Sequence, residues 1–203
     1  MFINFYFFFL LMIITISGQA GSGKSTMAQK LQDLFQAERI YVGGIRRELA
    51  RKKGMSLEEL NEYATTHPET DVDIDKEVAA QARALAKSGK NIIVEGRTQF
   101  HFLPESIKIF MKVSHDEAAR RIWKDLQEKG TKEKRNEGNF KSLAELKKSL
   151  IERDKNDTLR YKKYYGFDHQ DERHFDLVVD TTSLTPEETE EIILKFVQKV
   201  KKK

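Results

Sequence analysis

Cysteine is absent from the 203 residues, and proline occurs only 3 times. Without cysteine there is no disulfide scaffold, no thiolate metal site and no thiol nucleophile, and the chain suits a reducing compartment. Glycine is scarce, with 11 residues, which excludes collagen-like and Gly/Pro-rich low-complexity chains. An excess of one charge is also missing. The 36 Lys and Arg stand against 32 Asp and Glu, a net +4 that does not by itself announce a nucleic-acid partner. The 5 histidines show no metal-ligand spacing, and no catalytic histidine is expected. What is present is 39% hydrophobic and 33% charged, in a length that suits one domain with a buried core.

One long apolar run stands out, residues 2–16, broken only by Asn4 and Thr15. It is shorter than the ~20 residues a spanning helix needs. No Lys or Arg precedes Lys24, so the positive flank of an export signal is missing. We divide the run. Residues 12–17 read as a buried strand, because a glycine-rich loop follows directly. Residues 1–11 read as an extension without an assigned role: Met12 as the start, a membrane-associating tail, or a packed extra element.

Beyond the loop, helical spacing over 24–35 is followed by short apolar strands at 39–42, 91–95, 107–113 and 175–180. Between them lie a helix over 45–53 after a break at Gly43-Gly44, a helix opened by the capping pair Ser56 and Glu59, and a helix over 72–87. Later helices run from Ser114 to about Glu128, over 141–165, and from Thr185-Pro186 onward. This alternation predicts an α/β three-layer sandwich with a mostly parallel five-stranded sheet. Two helical stretches, about 40–88 and about 120–165, exceed what simple crossovers need and read as insertions over the mouth of a site. Residues 120–163 carry 15 Lys and Arg against 8 Asp and Glu, a local +7 that points to a polyanionic ligand.

Gly18-Gln-Ala-Gly21-Ser22-Gly23-Lys24-Ser25-Thr26 is a complete P-loop in the required strand–loop–helix setting. Its glycines allow successive backbone N–H groups to face phosphate oxygens, and the following helix adds its positive end. Lys24 is placed for the β- and γ-phosphates, and the Ser25 hydroxyl for Mg²⁺. Nucleotide binding therefore falls to Gly18, Gly21, Ser22, Gly23, Lys24, Ser25 and Thr26.

Several further groups carry a resemblance. They are Gly43-x-Ile-x-Arg47-Glu-Leu-Ala50 with Gly54-Met-Ser-Leu-Glu-Glu59, Val94-Glu-Gly-Arg97, Leu126-Gln-Glu-Lys-Gly130, Glu152-Arg-Asp-x-x-Asp157-x-x-Arg160, Tyr161-x-x-Tyr-Tyr-Gly166 and Val179-Asp-Thr-Thr-x-Leu184. From residue 12 to about 200 the chain resembles the nucleoside monophosphate kinases of the P-loop class, and among them the cytidylate kinases, with archaeal-type and bacterial-type features. The resemblance implies a nucleotide kinase fold with a helical acceptor-binding insertion at 40–88 and a lid at 120–165. It implies phosphoryl transfer from ATP to CMP or dCMP with Mg²⁺.

Residue by residue, the resemblance implies that Arg97 and Arg47 hold the acceptor phosphate, with Arg46 the competitor of Arg47. It puts Arg153 and Asp157 on the acceptor side, Arg160 at the transferring phosphoryl, and Arg121 between the two phosphate chains, with Arg120 its competitor. Arg153, Asp157 and Arg160 share one helical face by spacing, so an ion-pair ladder is the plainer reading. Asp71 reads as a helix cap and Asp75 as a contact to the acceptor base, or as part of a solvated face. Glu95 suits a Mg²⁺-water contact, acceptor positioning or an arginine pair, and Trp123 reads as core. Two departures fall near the acceptor base. Thr98 stands where the bacterial pattern has Asp, and Tyr41-Val42 stand where a small hydroxyl residue is common. A kinase of another small acceptor such as AMP, and an ATP- or RNA-binding module, are the alternatives. We expect a cytoplasmic monomer acting on small molecules, with no stable nucleic-acid or membrane partner.

Overall fold

The structure, a computed structural model, describes residues 11–128 and 140–201. Residues 1–10 of the extension and 129–139 of the basic segment lie outside the described residues.

Five strands build one sheet: β1 (Ile13–Gly18), β2 (Glu38–Tyr41), β3 (Ile92–Glu95), β4 (Ile107–Lys112) and β5 (Leu177–Asp180). Their order is β2-β3-β1-β4-β5 and every pairing is parallel. Parallel strands need crossovers that cover both faces, so their residues are apolar on both sides. In β3, alternation sends Ile93 to the cluster with Ile14, Ile16, Leu31 and Ile193, and Ile92 and Val94 to the cluster with Ile40, Val78 and Ala82.

The helices of the first face are α1 (Lys24–Phe35) and the C-terminal α8 (Pro186–Lys201). The second face is covered by α4 (Glu69–Lys87), reached through α2 (Val42–Lys52) and α3 (Leu57–Tyr63). A single turn, α5 (Gln99–Phe102), follows β3. Beyond β4, α6 (His115–Gln127) and the 23-residue α7 (Leu143–Tyr165) enclose a third cluster around Ile122, Leu146 and Leu150. Trp123 packs half-buried against that cluster. No helix among the described residues is long and apolar enough to cross a membrane.

Local chemistry sets the boundaries. Ser56 and Glu59 form the expected reciprocal capping box, and Ser114 and Ser142 accept from the third residue of their helices. Thr185 and Glu188 exchange the same pair of bonds before Pro186.

Two expectations are corrected. Gly43-Gly44 do not break the chain but sit in the first turn of α2. The Tyr41 ring lies over that turn, and a Cβ at Gly43 or Gly44 would come within 2.8 or 2.7 Å of it. The helix expected from residue 72 begins at Glu69, so Asp71 lies inside α4 rather than capping it.

Candidate active site

The carboxyl ends of the parallel strands open on one cavity of about 710 Å³. Ligands bind at this end of open α/β sheets. The loop after β1, the starts of α1 and α2, the turn after β3, and faces of α6 and α7 all contribute to its wall.

The P-loop closes one side. Gly18, Gly21 and Gly23 all have positive φ. At Gly18 the need is steric as well, since a Cβ there would collide with the Met111 carbonyl of β4. Gly18 therefore ends β1 without lining the cavity, whereas Gly21, Ser22, Gly23, Lys24, Ser25 and Thr26 line it. Lys24 Nζ donates to the Gln19 carbonyl at 2.5 Å. Burial, with the positive charge of Arg97 nearby, lowers its pKa to about 7.

Beside the loop, Ser25 Oγ donates to Glu95 Oε1 at 2.5 Å, and Arg39 of β2 donates to the other carboxylate oxygen at 2.5 Å. Glu95 is thus both paired with an arginine and joined to the P-loop serine. This oxygen pair fits a hard divalent cation that takes its remaining ligands from phosphates and water. No group of three or more potential ligands exists among the described residues, so the protein offers only part of a coordination shell.

Arg121 is held against the loop. Its Nη1 donates to the Gly21 carbonyl at 3.3 Å and its Nη2 to the Thr181 carbonyl at 2.6 Å, while Nε meets Glu117 at 2.7 Å. Arg120 is more exposed and pairs with the same Glu117. Thr181 completes the clasp by donating to the Ser22 carbonyl at 3.1 Å.

The opposite side is a chain of alternating charge. Arg97 pairs with Asp157 and lies 3.6 Å from Asp154. Arg153 Nε lies 3.9 Å from Asp157. Arg160 bridges Asp157 at 2.7 Å and Asp71 at 2.8 Å, and Asp71 pairs with Arg46. Arg46, Arg47, Arg97, Arg153 and Asp157 line the cavity. Arg47 reaches it by another route, donating to Tyr41 Oη at 2.6 Å.

The structure departs from the expectation for Arg160. Its side chain is 1% exposed and lies off the cavity wall, filled by two carboxylates. Its register on α7 turns it toward α4, where it braces the two helices. Arg46, the competitor of Arg47, is the more deeply buried of the two, and both face the cavity. Asp75 is buried in the wall, where its carboxylate accepts from Thr98 Oγ1 at 2.6 Å, Tyr165 Oη at 2.6 Å and Gln99 Nε2 at 2.8 Å. Burial raises its pKa to about 6.

Arg39, Asn61 and Gln99 are not marked by the sequence pattern, and Tyr165 is marked only as part of the Tyr161–Gly166 motif, without a role. Arg39 reads as an ordinary strand residue and Asn61 as a polar helix residue. Only the tertiary contacts, to Glu95, Arg46 and Asp75, bring them to the site.

A P-loop at the head of a five-stranded parallel sheet, facing a cluster of arginines across one cavity, defines a P-loop phosphotransferase fold. Shikimate kinase from Acinetobacter baumannii shares that fold, with a TM-score of 0.59 over 96% of this chain and 97% of the other at 16% identity. A family model described as an AAA domain matches residues 14–142. The cytidylate kinase of Methanosarcina mazei is 36% identical over 90% of this chain and 94% of the relative. That of Sulfurisphaera tokodaii is 38% identical over 90% and 93%. The chain belongs to the cytidylate kinase family.

Proposed function

We propose that the protein transfers the γ-phosphoryl group of ATP to CMP or dCMP. The observation that carries this reading is the joint occupation of one cavity by the P-loop and, across from it, Arg47, Arg97 and Arg153. Two phosphate-bearing ligands fit those two poles. The curated relatives named cytidylate kinase support the acceptor.

Phosphoryl transfer asks little covalent chemistry of the protein. It asks that two polyanions be brought in line and their charge offset. The backbone N–H groups of the P-loop and Lys24 hold the donor phosphates. Ser25 and Glu95 would hold Mg²⁺, which when bound neutralises phosphate charge. Arg97, Arg47 and Arg153 orient the acceptor phosphate through planar, charge-assisted bonds. Arg121, fixed on Gly21 and Thr181, lies beside the donor loop and presents its charge between the phosphates. Packing of α6 and α7 over the strand ends limits water.

An acceptor panel of CMP, dCMP, UMP, AMP and GMP with ATP and Mg²⁺ tests the proposal. Turnover is expected to be strongest with CMP or dCMP. Lys24→Ala should lower kcat by about 100-fold or more with an unchanged circular dichroism spectrum. Arg153→Ala should raise the acceptor KM or lower kcat while ATP binding persists. Preference for AMP or GMP, or wild-type kinetics in both variants, would overturn it.

A further inference from the structure

We infer that Tyr41 is a positioning residue for the acceptor phosphate: its phenol oxygen anchors the guanidinium of Arg47 at the cavity wall. This rests on the proposed phosphorylation of a nucleoside monophosphate.

Tyr41 ends β2, Arg47 lies in the second turn of α2, and both line the cavity. Tyr41 belongs to one of the two departures from the family pattern, a bulky ring where a small hydroxyl residue is common. Arg47 Nη1 donates to Tyr41 Oη at 2.6 Å and to the Gly43 carbonyl at 3.1 Å. A guanidinium has no acceptor atom, so the phenol oxygen accepts, and both N–H bonds of Nη1 are committed. Two bonds from one nitrogen of a planar group fix the plane in which its other N–H bonds lie.

The phenol is itself held. Tyr41 is the register partner of Glu95 in the parallel ladder. Arg39 lies two residues earlier on the same strand face, with its guanidinium carbon 5.1 Å from the ring centroid. Arg39 is fixed in turn by Glu95 Oε2 at 2.5 Å and Gln29 Oε1 at 3.2 Å. The ring also lies over the first turn of α2. A Cβ at Gly43 would come within 2.8 Å of the ring and 3.1 Å of Arg47 Nη1. Glycine at that position leaves the space in which ring and guanidinium meet.

The adjacent Arg46 is anchored by different chemistry. It pairs with Asp71 and donates to Asn61 Oδ1 at 2.9 Å and to the Thr70 carbonyl at 3.1 Å. A carboxylate tether offsets the charge it holds. A phenol tether brings no negative charge, so Tyr41 orients Arg47 without weakening its attraction for phosphate. Ordering a long side chain on binding lowers affinity, and an anchor already in place removes part of that loss.

The test is a double-mutant cycle in the full chain, Tyr41→Phe against Arg47→Ala, read by kcat, by KM and by equilibrium binding of CMP. Tyr41→Phe removes one oxygen and keeps the ring over the glycine turn. It should raise the CMP KM and Kd by about 3- to 10-fold, change kcat by less than about 2-fold and leave the ATP KM unchanged. In the Arg47→Ala background the same substitution should add nothing, because the oxygen then has no guanidinium to anchor. A wild-type CMP Kd in Tyr41→Phe overturns the inference. So does a loss that persists in full in the Arg47→Ala background, which would mark a general structural role, and so does an Arg47→Ala variant that binds CMP as the wild type does. Preference for AMP or GMP would overturn the parent reading alone, and the cycle is then read with that nucleotide, because the anchor acts on the phosphate and not on the base. A wild type that binds none of these nucleotides overturns both.

Discussion

Lys24 shows how a single residue is poised by its surroundings. Burial, with the positive charge of Arg97 nearby, lowers its pKa to about 7 in the nucleotide-free protein. Donor phosphates favour the charged form and raise that pKa again. The sign follows: below pH 7 the amine is already protonated, and above it binding must bring a proton. ATP binding should therefore take up more proton from this lysine at pH 8 than at pH 6. Calorimetry in buffers of different ionisation enthalpy measures the uptake, and the lysine's share is the difference between wild type and Lys24→Met. Equal uptake by wild type and Lys24→Met at both pH values would show that the lysine is fully charged before the nucleotide arrives.

Among the elements, α7 carries most of the weight. Its N-terminal half packs on α6 through Leu146 and Leu150. Its C-terminal half is tied to α4 and the end of α3: Arg160 to Asp71, Tyr164 to the Ala64 carbonyl at 2.6 Å, and Tyr165 to Asp75. Removing Arg160 would leave two buried carboxylates without a shared partner, a change that costs about 3–5 kcal/mol. Arg160→Met should therefore lower Tm by roughly 10 °C in a chain of this size. A thermal scan within about 2 °C of wild type would show that the brace contributes little.

The strands and most helices were legible because a parallel sheet leaves apolar runs of distinctive length and caps leave Ser or Thr at fixed offsets. Gly43-Gly44 misled because glycine marks both a break and a close approach, and only the Tyr41 ring tells them apart. Arg46, Arg47 and Arg160 illustrate the corresponding limit at the site. Spacing places arginines on a helix face, but the partner element decides which of them faces phosphate and which braces a helix.

Across the whole molecule, the side of the cavity proposed for the acceptor is assembled from the turn after β3, from α2 and α4, and from α7. A ligand held by all of them binds only the folded chain. CMP at about 100 times its Kd should then stabilise the protein by ~2.7 kcal/mol, and UMP at the same concentration by much less. Differential scanning calorimetry reads both. Equal shifts would mean that the base lies outside the cooperative unit.

Arg97 and Arg153 stand beside Asp157, and Arg97 beside Asp154 as well, before any phosphate is bound. The resting protein therefore carries its own counter-ions. An arriving anion is not greeted by bare positive charge; it must displace a carboxylate already in place. A singly charged solute gains less from that exchange than a phosphate monoester with close to two negative charges. The internal ion pairs thus weight the contest at these arginines toward the more highly charged anion.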